Sequence, residues 1–423
     1  MNRKRDIAIT EYSYLFIGEK DDGKNIAVDK TTFEEIEAFV LQNSGHVQYL
    51  RLGQNKKNKF LQAQNYVGII QTTSGTTIEI LPKITNTSKD NEEPDEIKKS
   101  KKLLIKMLKT LKNSPFQNIK TANLKVENVP LYEVFIGMFL EELSLLIKKG
   151  IKSDYIMKEE NLRFLKGKLK IGEQIKKNSV HKERFYVEYD EFSAERIENR
   201  IIKTTLNFLY GRSKSNTNKK RIREFKFVFD EIKPIYNYKL GFSKIKVGRQ
   251  MDDYQLVLRW CRVFLLRNSF SPYKGKEVAF ALLFDMNMLF ESYVGKYLKR
   301  LEGIGEVKLQ DKKYSLAYCE GQERFRLKPD IVIERSDDTI ICDTKWKVID
   351  KEPNQGDMYQ LYAYGTKYSN CNNLYLIYPY NGEADKLSYD YFKSKDKLGL
   401  DVIYFNLYKN KFHREEEISF LNS

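Results

Sequence analysis

The alternation of apolar and polar positions changes twice along the chain. Residues 1–100 read as mainly β. Tyr12–Ile17 is a short apolar strand, and the β-rich segments Tyr66–Gln71 and Thr76–Leu81 flank Ser74-Gly75 in the pattern of a hairpin. Thr31-Thr32-Phe33-Glu34-Glu35 has the form of a capping box and opens a helical stripe of Phe33, Ile36, Phe39 and Val40. Pro82 ends the second hairpin strand, and the polar, acidic stretch Asn86–Ser100 reads as a linker. Leu103, Leu104, Met107, Leu108 and Leu111 then predict an amphipathic helix, and Leu131–Ile147 a more apolar one.

Residues 150–275 read as mainly helical. Ala194–Tyr210 carries Ile197, Ile201, Leu206 and Leu209, and Tyr254–Asn268 carries Val257, Trp260, Val263 and Phe264. Arg212–Arg223, polar and basic, reads as a loop. After the apolar run Val278–Phe284 comes a helix over Asp285–Leu301 with a near-continuous stripe from Met286 to Leu301. Strands are expected at about 305–310, 314–319, 325–334 and 339–347, then a helix at about 355–369 and a strand at Asn373–Tyr378. The expected fold is therefore a multidomain α+β chain. It has a β-rich N-terminal domain (1–100), a mainly helical middle (101–275) and a C-terminal α/β domain (276–423) with an αβββαβ core.

Composition narrows the function classes. With 41% apolar, 31% charged and 13% aromatic residues the chain can build real cores and is not disordered. No apolar run is longer than about seven residues, against about twenty for a membrane-spanning helix, and no apolar stretch follows the basic start. A cytoplasmic protein without a membrane role is expected. Cys261, Cys319, Cys342 and Cys371 have the spacing of neither a zinc site nor a disulfide framework.

The net charge of +16 favours a polyanionic partner, nucleic acid first, but it is unevenly spread. Residues 276–423 hold 22 Lys and Arg against 24 Asp and Glu, while residues 148–249 hold 27 against 13. The basic middle is thus the expected DNA-contacting part, with Lys219, Lys220, Arg221 and Arg223 as candidate phosphate contacts.

The chemistry lies in Lys328-Pro329-Asp330-Ile331-Val332-Ile333 and Ile340-Ile341-Cys342-Asp343-Thr344-Lys345. If these are antiparallel strands joined at Ser336-Asp337, Asp330 falls opposite Asp343, with Cβ atoms roughly 4.5–5.5 Å apart. Lys345, two residues on from Asp343, shares that face. Two carboxylates so close repel unless a hard cation joins them, which predicts Mg²⁺, with Mn²⁺ as a substitute. Asp330, Asp343 and Thr344 are the candidate metal ligands and Asp330, Asp343 and Lys345 the candidate catalytic set. The chemistry is that of metal-dependent phosphodiester hydrolysis. Glu291, at the edge of the preceding helix stripe, is a further candidate for metal or water. Gln360, one turn from Tyr364 on the following helix, is a candidate brace for the lysine.

Two other features carry no site. Gly18-Glu19-Lys20-Asp21-Asp22-Gly23-Lys24 approaches a phosphate-binding loop, but Asn25 stands where a Ser or Thr is required, so a turn is expected. His46, His181 and His413 are scattered and favour no histidine-based mechanism.

The triad Asp330, Asp343 and Lys345 resembles the PD-(D/E)xK nuclease superfamily. The wider text resembles the McrC family: Leu283-Phe284-Asp285-Met286-Asn287-Met288-Leu289-Phe290-Glu291-Ser292-Tyr293-Val294, Val67-Gly68-Ile69-Ile70 with Ile78-Glu79-Ile80-Leu81-Pro82-Lys83-Ile84, Leu165-Lys166-Gly167-Lys168-Leu169, and Glu198-Asn199-Arg200-Ile201-Ile202-Lys203. Trp346 stands after the lysine where an aromatic such as Tyr is expected, a mild departure.

The resemblance implies the endonuclease subunit of a type IV, 5-methylcytosine-dependent restriction system acting on methylated double-stranded DNA. It also implies a partner, a McrB-like AAA+ GTPase hexamer that alone binds GTP and into which the N-terminal domain docks. The rival expectations are a non-catalytic DNA-binding activator of such a motor and a stand-alone repair nuclease.

Overall fold

The structure is a computed structural model that describes residues 6–21, 25–43, 48–55, 58–83, 94–112, 114–117, 129–245, 251–266, 278–349, 352–382, 387–391 and 398–421. The chain divides into two compact units, residues 1–131 with 269–423, and residues 132–268. This is not the expected succession of three segments cut at 100 and 275. Strand Val278–Asp285 pairs antiparallel with Tyr66–Thr72 and so completes the N-terminal sheet. Among the described residues no helix is long and apolar enough to cross a membrane.

In the first unit, the expected hairpin forms from Tyr66–Thr72 and Thr77–Leu81, and Asp6–Thr10 adds in parallel to its outer strand. Gly75, at φ +99°, makes the turn that a side chain would disfavour. Gly68 serves close approach: a Cβ there would stand 2.0 Å from the Leu282 carbonyl oxygen. Helix Lys30–Asn43 buries Phe33, Ile36, Phe39 and Val40 against Ile7, Ile9, Ile70, Ile80 and Leu283. Its cap is not the expected Thr-x-x-Glu box. Asp29 accepts from the Thr32 amide (3.0 Å) and hydroxyl (2.8 Å), and Glu35 instead accepts from Thr73 and Ser74 in the hairpin turn. A second small sheet has the order Asn25–Val28, Tyr14–Ile17, Asn58–Ala63, Leu50–Asn55. The strand at Asn25 agrees with the rejection of a phosphate-binding loop. The expected linker lies outside the described residues up to 93, but from Pro94 the chain is helical to Leu108. Proline suits a first helical turn, where its missing N–H goes unused.

The C-terminal part of this unit is built on a mixed sheet in the order Glu306–Leu309, Ile331–Glu334, Thr339–Thr344, Asn373–Pro379, Gly399–Asn406, Leu387–Asp390, with Lys411–Phe412 against Gly399–Asn406. Helix Gln355–Lys367 packs Leu361 and Tyr364 on the face bearing Val332, Ile341, Leu374 and Leu376. Helix Met286–Leu298 sets Tyr293 against Phe405, whose position alternates with Val402 on the other face. Cover on both faces explains the unbroken apolar runs 331–333 and 340–342. The expected strand 325–334 is two strands. Gln322–Arg326 pairs with Ser315–Cys319 in a separate exposed hairpin, and Pro329, which has no N–H to donate, precedes the strand that enters the main sheet.

The second unit is not mainly helical throughout. Asp154–Leu162 and Phe185–Ser193 form an antiparallel pair over nine residues each, with Lys168–Leu169 as a third strand. Apart from Val187 their positions are exposed or half-exposed, so neither strand has the continuous buried face that reveals a strand. Helices Ile197–Tyr210 and Asp252–Leu265 pack Ile201, Leu206, Trp260 and Phe264 in the core. The expected loop Arg212–Arg223 is largely helix, Asn216–Val228. Ser215 caps it, and buried Glu133 accepts from the Ser213 hydroxyl, the Ser215 amide and the Asn218 side chain. A long-range carboxylate thus organises a start that local sequence leaves ambiguous.

Candidate active site

The acid-bearing hairpin pairs Ile331 with Cys342, Val332 with Ile341, Ile333 with Ile340 and Glu334 with Thr339. The Arg335 amide donates to the Asp338 carbonyl (3.0 Å), which leaves Ser336-Asp337 as the turn. This is the register expected from the sequence, and it brings Asp330 to the level of Asp343. Asp330 lies one residue before its strand. Its Oδ2 accepts from the Thr344 amide and from the Thr344 hydroxyl, both at 2.8 Å. The hydroxyl proton of Thr344 therefore aims Asp330, so any contact of Thr344 with a metal would be through oxygen lone pairs.

Asp343 is 2% exposed. Its Oδ2 makes no well-directed hydrogen bond but lies 2.7 Å from the Lys345 ammonium. Lys345 in turn donates to Gln360 Oε1 (3.2 Å) and lies 3.5 Å from Asp357. Gln360 Nε2 donates to the Tyr364 hydroxyl (2.7 Å), which donates to the Lys328 carbonyl (3.3 Å). The relay returns to the chain two residues before Asp330. Tyr364, which alone on a helix reads as core, is both buried and part of this relay. Asp357 is a site residue that sequence reading missed. Its signal was its place on one helix face with Gln360 and Tyr364, at i, i+3 and i+7.

The electrostatics follow from burial. Asp343 is pushed up to about 7, first by burial and then by the negative charge of Asp330, with Lys345 working against both. Burial also raises Asp330 despite its hydrogen bonds from Thr344. Burial favours the neutral form of Lys345, but Asp343 above all, then Asp357 and Asp330, outweigh it and keep the ammonium charged. Glu291 on helix Met286–Leu298 accepts from Gln310 Nε2 (3.2 Å). Burial first, and then Asp330, with Asp343 adding a smaller share, raise it to about 7, which sets it in the same acidic neighbourhood.

Among the described residues no three His, Cys, Asp or Glu side chains form a ready-made metal cage. Mg²⁺ does not require one. It keeps several waters and uses one or two carboxylates together with substrate phosphates. A buried carboxylate, Asp343, beside a half-buried one, Asp330, with one Asp343 oxygen lacking any directed hydrogen bond, fits such an ion.

The other expected residues fall elsewhere. Lys219, Lys220, Arg221 and Arg223 lie on helix Asn216–Val228 in the second unit. Arg221 is paired with Glu141 at 2.9 Å, whereas Lys220 and Arg223 are exposed. His46 lies outside the described residues, while His181 lies 3.4 Å from Glu183 and His413 stacks on Tyr380. Trp346, the departure noted after Lys345, is buried, and its indole N–H donates to Glu11 (3.1 Å). Nothing local signals a contact across 335 positions.

The model of the family described as McrBC 5-methylcytosine restriction system component matches residues 61–379. The type IV methyl-directed restriction enzyme EcoKMcrBC of Escherichia coli (strain K12) is 23% identical over 307 residues, 64% of this chain and 84% of that relative. A chain in the refined half-complex from a tetradecameric assembly of Thermococcus gammatolerans McrB AAA+ hexamers with bound McrC is similar over 99% of both chains. Its TM-score is 0.70 at 20% identity, a likeness of fold. With three-quarters of its length inside the family match and the acid hairpin within that span, this chain belongs to the McrC family, a component of McrBC 5-methylcytosine restriction systems.

Proposed function

We propose that this chain is the endonuclease subunit of its restriction system. It hydrolyses phosphodiester bonds of methylated double-stranded DNA with Mg²⁺ and works with a McrB-like AAA+ GTPase hexamer whose GTP hydrolysis it stimulates. The observation that carries the proposal is the meeting of Asp330, Asp343 and Lys345 at the end of one hairpin, with 2.7 Å between Asp343 and Lys345. The GTPase partner is supported by family membership and by the named assembly of the structural relative.

Asp330 and Asp343, with a Thr344 oxygen, would hold Mg²⁺, which when bound acidifies a water and stabilises charge on a phosphoryl oxygen. Thr344 fixes the direction of Asp330. Lys345, kept charged by its acidic neighbours, would orient the attacking water and stabilise the added charge of the transition state. Gln360, held by Tyr364, sets the ammonium from the other side. Glu291, which titrates near neutrality, would take up a proton released there.

The test is cleavage of a methylated plasmid by the purified chain, with and without partner, GTP and Mg²⁺. Cutting that needs all of them is expected. Cutting by the lone chain regardless of GTP would favour a stand-alone nuclease. Stimulated GTP hydrolysis without any cutting would favour a non-catalytic activator.

A further inference from the structure

A concave pocket of about 340 Å³ lies in the first unit, between the turn after helix Pro94–Leu108 and helix Met286–Leu298. Glu291 and Gln310 line it, and the Gln310 amide donates to the Asp330 carbonyl (2.8 Å), so it adjoins the acid pair. Its other charged lining groups are Lys112, Lys296 and Lys299. We propose that this pocket is a subsite for backbone phosphates of the DNA strand being cut. The proposal rests on the nuclease reading of the acid pair and assigns the strand's path beside it.

Charge is the first argument. None of the three lysines lies within ion-pair distance of a carboxylate among the described residues. Lys296 donates to the Lys109 carbonyl (3.3 Å), a contact that leaves its charge unneutralised. Burial and then the neighbouring charge of Lys296 lower Lys109, and burial and then Arg300 lower Lys296. Positive charge is therefore crowded here, and a bound anion would relieve it.

Geometry is the second argument. Lys296, on the helix of Glu291, and Lys299, the C-cap of that helix, follow Glu291 by five and eight residues, about 7.5 and 12 Å along its axis. At a rise of about 3.4 Å per nucleotide, those distances span roughly two and three and a half nucleotides. Met288 and Leu309 give the pocket an apolar floor against which a sugar or a base face can rest. Residues 276–423 hold 22 Lys and Arg against 24 Asp and Glu, so Lys296 and Lys299 form a local cationic track within a slightly acidic segment.

The experiment uses the full chain and measures DNA affinity across a KCl series, alongside cleavage with the partner present. Lys112 and Lys299 are exposed, so Lys112→Gln and Lys299→Gln are expected to fold normally. Each should lower the slope of log affinity against log salt by about 0.9, and the double variant by about 1.8. Cleavage should fall in parallel and the Mg²⁺ midpoint stay unchanged. Lys299→Arg should restore the slope. Unchanged slope and affinity in the double variant would overturn the subsite, as would an equal loss in Lys409→Gln, an exposed lysine outside the pocket. A wild-type chain that binds DNA with the lysine-dependent slope but never cuts would sink the nuclease reading and leave the subsite standing.

Discussion

The indole N–H of Trp346 donates to both carboxylate oxygens of Glu11, each at 3.1 Å. This bond ties the residue after Lys345 to the end of the first strand. Glu11 is buried and its pKa is raised to about 8, chiefly by burial, against which the Lys83 amide and Trp346 work. Trp346→Phe keeps a ring against Phe290 but leaves Glu11 short of a donor. A loss of about 1–3 kcal/mol in unfolding free energy is expected, read by denaturant titration. Glu11→Gln in the same background should recover part of it, because a neutral amide is less costly to bury.

Thr344→Val removes one of the two hydrogen bonds to Asp330 and leaves the backbone one. The Mg²⁺ concentration for half-maximal cleavage should rise by about 10-fold or more, the usual range for groups that orient a metal ligand. Thr344→Ser, which keeps the hydroxyl, should stay close to the parent. Equal defects in Val and Ser would show that the hydroxyl does not orient Asp330.

Gln360→Ala frees Lys345 from its neutral partner and leaves it to Asp343 and Asp357. Cleavage should drop by about 10- to 100-fold with little change in DNA affinity, because positioning rather than charge is lost. Tyr364→Phe, which lets Gln360 turn, should give a smaller defect in the same direction. A Gln360→Ala enzyme with parental turnover would remove Gln360 from the site.

The buried carboxyl of Asp343 also predicts how stability depends on pH without metal. Asp343 keeps its proton in the folded state up to about 7, while an unfolded aspartate loses it near 3.9. Between these values unfolding releases a proton, so stability falls as pH rises through the window and the loss is complete above it. Asp343→Asn carries no such charge. In EDTA at pH 8 its Tm should exceed the parent's by at least about 3 °C, and the gap should close toward pH 4. A parent Tm that does not fall relative to the variant over this range would contradict the electrostatic account.

Much of this site was legible because its determinants are local. One hairpin with a two-residue turn sets the register of Asp330 against Asp343, and strand alternation puts Lys345 beside Asp343. Helical spacing likewise allowed Gln360 and Tyr364 to be paired. What escaped depends on distant partners. Strand Val278–Asp285 looks like the start of a new domain until it pairs with Tyr66–Thr72. Helix Asn216–Val228 looks like a loop because its start is organised by Glu133. Strands Asp154–Leu162 and Phe185–Ser193 lack a buried face to betray them. Asp357 was hidden as an ordinary acid in a first helical turn, and its role emerges only from Lys345 and Lys347 beside it.

We assign Asp343 to the cutting of DNA and not to activation of the motor. Asp343→Ala, assayed with the McrB-like partner, GTP, Mg²⁺ and methylated DNA, tests it most directly. The expected result is loss of DNA cleavage by at least about 1,000-fold with GTP hydrolysis and partner binding unchanged. Cleavage at the parental rate, or loss of GTPase stimulation together with cleavage in a variant that still folds, would contradict the account.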